Sequence, residues 1–460
     1  MSRTISQKTF DDAVKENIEE FSMTNDEAVK DAIKQFETQG VSLQNIITNS
    51  LKTNEVDILT KKIENLKKIV LENPSDPELI SVLSDIKEEC DDGIAKRVLA
   101  GECGLHSTLT NFLINNELMD ETFKVGVLEV LIALMTGYPD LLDDNGFKII
   151  ENMLKDATSE ILVILTLKWS VECCIKHELN RTKFLNSDCL MNSMKNLMEK
   201  ETISPDILRV MCKLFQTFVL NDDIRAEIPL AHKHACQISN NFLSSLVKCL
   251  KVFKNDKKVL VAVLQALSAI IVRNEYCQYF VDAEGLVLLR DIWIENLDDE
   301  TLCRNCFNLI KIIAGNDEVK AKVMEVIDVS IIVSTLQKFL NSAKTCSQGF
   351  GALSMLTLRN NNNCKLLREK NIDELIVQSI KIHATAKKLL KNICWLIKNL
   401  AQGNEKFISD LLTLGIEEIL RDVLTKHQDC TFEINMALRL LGCEVTSQEI
   451  WTGEGRGICN

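Results

Sequence analysis

His232, His234 and Cys236 form the densest local set of metal-ligating side chains in the sequence. Two imidazoles and a thiol on alternate residues are one ligand short of a closed tetrahedral zinc site. With Pro229 just upstream, they fall in an insertion that reads as an exposed loop. Cys303 and Cys306, three apart, place two sulfurs on one helical face, but no second pair lies at usable distance. Cys173, Cys174 and His177 hold the parts of a thiol–imidazole nucleophile within a helical pattern, where packed thiols are the default. Trp395 and Asn399 sit four apart and so share a helical face. A carboxamide both donates and accepts, which suits gripping a peptide backbone. There is no Walker-type phosphate loop, and Gly453-Glu-Gly-Arg-Gly457 follows no strand and opens no helix. Asp91-Asp92 and Asp143-Asp144 read as helix starts or solvated turns, not as an acid–base pair. The expectation is a protein without catalytic residues, cofactor or metal, with His232, His234 and Cys236 as the metal candidates to test.

The rest of the composition narrows the class. A net charge of −13 over 460 residues, with no clustered basic block, argues against direct nucleic-acid binding. It suits a soluble protein and would also suit a basic peptide ligand. Seventeen cysteines at scattered spacings describe reduced, packed thiols, not a disulfide framework. The first residues lack the apolar core of a signal peptide. Val259–Val272 is too short to span a membrane and carries Gln265 and Ser268, so it reads as a buried core helix. The expected setting is the cytosol, with the nucleus open, and the expected state is a monomer.

Residues 1–55 read as a leader of two amphipathic helices. Phe10, Val14, Ile18 and Phe21 line one face, and Val29, Ala32, Ile33 and Phe36 a second, after a capping box from Thr24 to Glu27. Gly40 stands where a left-handed helix stop belongs, and Val41, Leu43, Ile46 and Ile47 continue as an apolar linker. Two such helices are not expected to bury their stripes on each other alone. The leader then caps the next element, or is a detachable arm that seeks a partner or a second copy.

From about residue 56 to 445 the chain repeats. Asn274, Asn316, Asn361 and Asn404 open similar junctions 42, 45 and 43 residues apart. The residues opening each long second helix are Gly104, Gly146, Cys189, Gly285, Asp328, Ile372 and Gly415, about 43 apart except for one double gap holding an insertion near 229–240. Almost no proline and no sustained alternation leave helices as the repeating element. A period near 42 built of two long helices and a shorter one gives an all-α solenoid of about nine units whose neighbours stack to bury their apolar faces. Residues 446–460 read as a flexible tail, with Trp451 a cap or a contact.

The lead-in asparagine, the glycine before a Leu/Ile-rich helix and a third helix ending near Gly-Asn resemble armadillo repeats. The opening QKTFDDAVKENIEEF…NDEAVKDAIKQFETQGVSL together with the array is similar to the armadillo repeat-containing protein 6 family over essentially the whole chain. That resemblance implies a right-handed superhelix whose third helices line a concave side. For vertebrate members it also implies an association with blood-progenitor differentiation, a phenotype and not a chemistry. Armadillo proteins that bind extended peptides clamp the backbone with a groove asparagine and bracket side chains with a tryptophan one turn earlier. The resemblance carries those roles to Asn399 and Trp395. Other units put Gln216, Ala269, Lys311, Met355 and Arg439 at the asparagine's place, so a nuclear-import type of asparagine ladder is not repeated. Three readings stand. Trp395 and Asn399 are one rung of a groove continued by Lys311, Met355, Arg439 and Gln216; or Trp395 is a packed aromatic and Asn399 a solvated polar residue; or the array forms a full import-type groove in spite of the missing asparagines. The expected function is a non-enzymatic scaffold for proteins or extended peptides, the alternative a transport or chaperone cofactor clamping one partner.

Overall fold

The computed structural model describes residues 3–39, 41–43, 46, 53–72, 77–116, 120–156, 159–200 and 203–445. Gly40, Ile47 and the tail with Trp451 and Gly453–Gly457 lie outside them. The chain divides into two compact units, Met1–Ser245 and Leu246–Asn460, and the division falls inside one long helix.

The first unit opens with β1 (Arg3–Thr4), α1 (Gln7–Phe21), α2 (Asn25–Thr38) and β2 (Val41–Ser42). Ser6 accepts the Thr9 N–H at 3.1 Å to start α1, and the Glu27 carboxylate reaches back to the Thr24 N–H at 3.1 Å to start α2. Contrary to the sequence expectation, these helices do bury their faces on each other. Phe10, Val14, Ala28, Ala32, Phe36 and Val41 form a small core of their own. The two strands close it in a parallel bridge that pairs Arg3 with Val41. The stripe is rotated from the one expected: Asn17 is buried and donates to the Ala28 carbonyl at 3.2 Å, while Ile18 and Phe21 are exposed.

The array of this unit runs α3 (Thr53–Glu72), α4 (Glu78–Asp92), α5 (Ile94–Glu102), α6 (Leu105–Asn115) and α7 (Glu121–Met135). A single 3-10 turn, Pro139–Leu141, then stands in for a first helix before α8 (Asp144–Asp156) and α9 (Glu160–Cys174). α10 (Glu178–Leu185), α11 (Asp188–Glu199), α12 (Pro205–Phe218) and α13 (Ala231–Val252) complete it. Asp91 and Asp92 end α4 rather than start a helix, whereas Asp143 does start one, accepting the Gly146 N–H at 2.7 Å.

The second unit holds α14 (Lys257–Ile270), α15 (Asn274–Asp282), α16 (Gly285–Glu295), α17 (Glu300–Ile313), α18 (Asp317–Val326), α19 (Val329–Lys338) and α20 (Ala343–Thr357). It continues with α21 (Asn361–Arg368), α22 (Ile372–Ile382), α23 (Lys387–Ala401), α24 (Glu405–Thr413), α25 (Ile416–Lys426) and α26 (Thr431–Leu440). A short first, a longer second and a long third helix thus recur. The third helices pack consecutively, α4–α7–α9–α12 in the first unit and α14–α17–α20–α23–α26 in the second. Each unit is an all-α solenoid.

Three local devices make the repeat. Asn316 and Asn404 cap first helices, Asn316 accepting the Glu318 and Val319 N–H groups at 2.9 and 3.1 Å and Asn404 that of Phe407 at 2.9 Å. In the asparagine run the cap is Asn360, and the left-handed turn falls on Arg359 (φ 55°). Asn274 lies just inside α15, after Arg273. Whereas α11 and α19 start from the capping side chains of Ser187 and Asp328, the turns into α6, α16, α22 and α25 each use one left-handed residue, Gly104, Glu284, Asn371 and Gly415. Gly285 follows such a turn so tightly that a Cβ there would lie 2.5 Å from the Phe280 carbonyl oxygen. Finally, a cation on a first helix reaches carbonyls at third-helix ends, where the helix dipole is negative. Arg97 donates to Cys90 and Thr136, Lys320 to Leu358 and Arg368 to Leu400, at 2.5 to 2.8 Å.

Candidate partner-binding face

Successive third helices bury most of their circumference and leave one partly exposed side, a ladder face. In α23 the buried set includes Leu389, Leu390, Ile393, Cys394, Leu396, Ile397 and Leu400. Lys388, Lys391, Asn392, Trp395, Lys398 and Asn399 remain exposed or half-buried. The Lys398 ammonium sits 4.7 Å from the Trp395 ring centroid. Trp395 is thus neither a core aromatic nor fully solvated.

Asn399 is half-buried and tied to the preceding repeat. Its Nδ2 donates to the Ser354 carbonyl at 2.9 Å and to the Thr357 hydroxyl at 3.2 Å. Asn392, two turns earlier, does the same to the Ser347 carbonyl at 2.8 Å. With its donor engaged in this way, Asn399 offers an incoming peptide chiefly its amide oxygen. The sequence reading followed one position per helix and so passed over Asn392. Its signal was the seven-residue spacing to Asn399, two turns along one face.

Lys311 on α17 and Met355 on α20 are half-buried on the same ladder face. The Lys311 stem runs across Gly351, where an added Cβ would lie 3.3 Å from Lys311 Cδ and 3.1 Å from Asn392 Nδ2. Burial, and then the charge of Lys388, hold the Lys311 ammonium below the usual lysine range. Arg439 is exposed on α26. The buried residues of α26 match those of α23 at an offset of 44, which brings Arg439 level with Trp395 instead of Asn399. Gln216 lies on α12 in the first unit, half-buried, donating to the Cys212 carbonyl at 3.1 Å.

The metal candidates do not converge. His232, His234 and Cys236 occupy the first turns of α13, not a loop, so the alternation that would join them in an extended chain points His234 away from the other two. His234 is buried, and its Nδ1 donates to the Phe218 carbonyl at 3.1 Å, while exposed His232 lies 3.9 Å from the Cys236 sulfur. Among the described residues no group of three or more His, Cys, Asp or Glu side chains could hold a metal ion. Cys303 and Cys306 are buried, and burial pushes the Cys303 thiol up to about 11 and raises Cys306 as well. Burial raises Cys173 and Cys174 as well. His177 faces elsewhere, accepting the Asn180 N–H at 3.1 Å and approaching Asp140 at 3.2 Å. These pairs are packing. None of the sixteen described cysteines is in a disulfide.

Next to that helix lies a buried polar socket that the sequence reading did not single out. Arg181 has no exposed surface and donates to the Cys174 carbonyl at 2.8 Å, the Leu220 carbonyl at 2.5 Å, Glu178 at 3.2 Å and Asp222. His234 and Glu178 approach to 3.4 Å, but the imidazole proton goes to Phe218, leaving the Glu178 Oε1 without a donor. Burial accordingly raises Glu178 and lowers His234, each toward its neutral form. The socket replaces the missing first helix between α12 and α13 and is structural.

Sequence relatives settle the family. The ARMC6 family profile matches residues 22–458. The chain belongs to the ARMC6, or armadillo repeat-containing protein 6, family. The Drosophila melanogaster homologue of armadillo repeat-containing protein 6 is 34% identical over 366 residues, 78% of each chain. The Pongo abelii protein is 31% identical over 472 residues, covering 99% of this chain and 94% of its own. Among solved structures, an engineered protein superimposes with a TM-score of 0.65 at 14% identity, covering 96% of this chain and 100% of that one. A structure from work on a phosphorylation switch in the interaction of cadherin and beta-catenin gives 0.61 at 12% identity, covering 94% and 83%. At those identities the likeness shows the fold alone. This ARMC6-family chain is an armadillo-repeat α-solenoid. Among the described residues no helix is long and apolar enough to cross a membrane.

Proposed function

We propose that this chain is a non-enzymatic scaffold that binds other proteins, or extended segments of them, along the ladder face of its second unit. Trp395 and Asn399 stand at the centre of that face, with Lys311, Met355 and Arg439 along it, and Gln216 is the corresponding contact of the first unit. The observation that carries this reading is Trp395 itself. A half-exposed tryptophan with a lysine over its ring, beside carboxamides on a rigid helix, offers a contact surface without a job inside the core. Sixteen described cysteines, none of them in a disulfide, suit the reducing cytosol or nucleus.

The test is quantitative affinity purification from native cells, wild type against the double substitution Trp395→Ala, Asn399→Ala, with circular dichroism to verify folding. Several partners lost together identify an adaptor. One dominant stoichiometric partner lost identifies a transport or chaperone cofactor. Full retention of every partner by a folded variant refutes the face as the site.

A further inference from the structure

The third helices of the second unit carry ten basic and two acidic residues, although the whole chain has a net charge of −13. Both acids are engaged: Glu300 accepts from Ser342 and Thr345 at 2.6 and 2.7 Å, and Glu433 pairs with Lys391 at 3.3 Å. Arg304, Lys387 and Lys257 have carboxylates within 4 Å. Among the described residues Lys311, Lys388, Lys398 and Arg439 have none. Lys311 is held across Gly351 beside Asn392 and partly out of water, and burial, then the charge of exposed Lys388, lowers its ammonium. A half-buried ammonium with no carboxylate within reach, on the same face as a half-exposed tryptophan, is better satisfied when an anion arrives.

We infer that the ladder face from α17 to α26 takes an acidic, extended polypeptide segment, whose carboxylates are received by Lys311, Lys388 and Arg439 and whose apolar side chains lie against Trp395 and Met355. The inference rests on the proposed use of this face and adds the chemistry of the occupant. Three helix-to-helix steps of about 10 Å each cover about 30 Å, so a segment of about nine extended residues suffices at ~3.4 Å per residue. A polypeptide fits better than a nucleic acid. The lone cations are few and interleaved with amides and apolar side chains, which matches the mixed side chains of a polypeptide better than a continuous run of phosphates.

The test uses the purified full chain and fluorescence anisotropy with labelled peptides of about twelve residues, one rich in Asp and Glu with single Leu and Phe residues, one rich in Lys and Arg, one uncharged. The variants are Lys311→Glu with Lys388→Glu, and, as a control on the first helices, Lys365→Glu with Lys406→Glu. The acidic peptide is expected to bind, to weaken with salt, and to lose about tenfold or more in the ladder-face variant but less than about threefold in the control. Failure of the acidic peptide to bind, or equal loss in both variants, overturns the inference. Binding of the uncharged or basic peptide that depends on Trp395 and Asn399 overturns it too, while leaving the proposed face in use. Displacement by single-stranded RNA at lower concentration than by acidic peptide assigns the cations to nucleic acid and also overturns it.

Discussion

Arg181 in the first unit and Lys311 in the second are both drawn out of water, and the fold treats them in opposite ways. Arg181 is surrounded by two carbonyls and two carboxylates, and it closes a junction that lacks its first helix. Lys311 lies across Gly351 beside Asn392, has no carboxylate within 4 Å among the described residues, and feels the charge of Lys388. The same contrast runs through the units. The third helices α4, α7, α9 and α12 carry eleven acidic and five basic residues, the reverse of the balance in α14 through α26. A cation that holds a solenoid together is satisfied inside it. A cation left without a counter-charge on a rigid face is where the proposed function puts the partner.

The largest expected effect breaks the satisfied side of that comparison. Arg181→Ala leaves Glu178 and Asp222 without their counter-charge and should cost ~3–5 kcal/mol. Guanidinium unfolding followed by circular dichroism reads it, and an unshifted midpoint would show the socket to be dispensable. In the second unit, Gly285→Ala drives a Cβ into the Phe280 carbonyl and should cost about 1–3 kcal/mol. Asn316→Ala removes a helix cap worth about 1 kcal/mol, and thermal melts rank the two. The socket also has a pH signature. Burial lowers the folded-state pKa of His234, so the unfolded chain takes up that proton first. Stability should therefore decline as pH falls below about 6.5 toward the folded-state value, and NMR titration of the His234 ring should show it still neutral below that pH. Smallest of all is the effect on the unsatisfied side: Lys388→Gln should leave stability within about 0.5 kcal/mol of wild type or raise it slightly. A loss as large as that of Arg181→Ala would mean that Lys388 has a structural partner.

Much of the fold was legible because repeats announce themselves. Asn316, Asn404, Gly104 and Gly415 occupy turns and caps whose backbone geometry few residues tolerate, so their spacing carried the period. The leader's small core escaped because two-residue strands leave no alternation to read, and because Val41 lies beyond the helices whose faces it helps to cover. His232, His234 and Cys236 looked like a ligand set only while Pro229 suggested a loop. Once α13 begins at Ala231, helical rotation separates them. Trp395 and Asn399 were visible as a helical pair, but the bonds from Asn399 to Ser354 and Thr357 join residues more than forty apart and needed the packed structure. The charge contrast was hidden in plain composition. A net −13 averages over faces, and the basic ladder emerges only when the third helices are separated from the first and second.

The most direct measurement is photo-crosslinking from the ladder face in native cells. A benzophenone amino acid placed at Met355 on α20, and in a second experiment at exposed Phe21 of the leader, is irradiated and the captured peptides are sequenced. The account predicts that Met355 captures a partner through a segment rich in Asp and Glu, and that capture falls when Lys311 and Lys388 are changed to Glu. Capture at Phe21 but not at Met355 would contradict it and move the binding site to the leader.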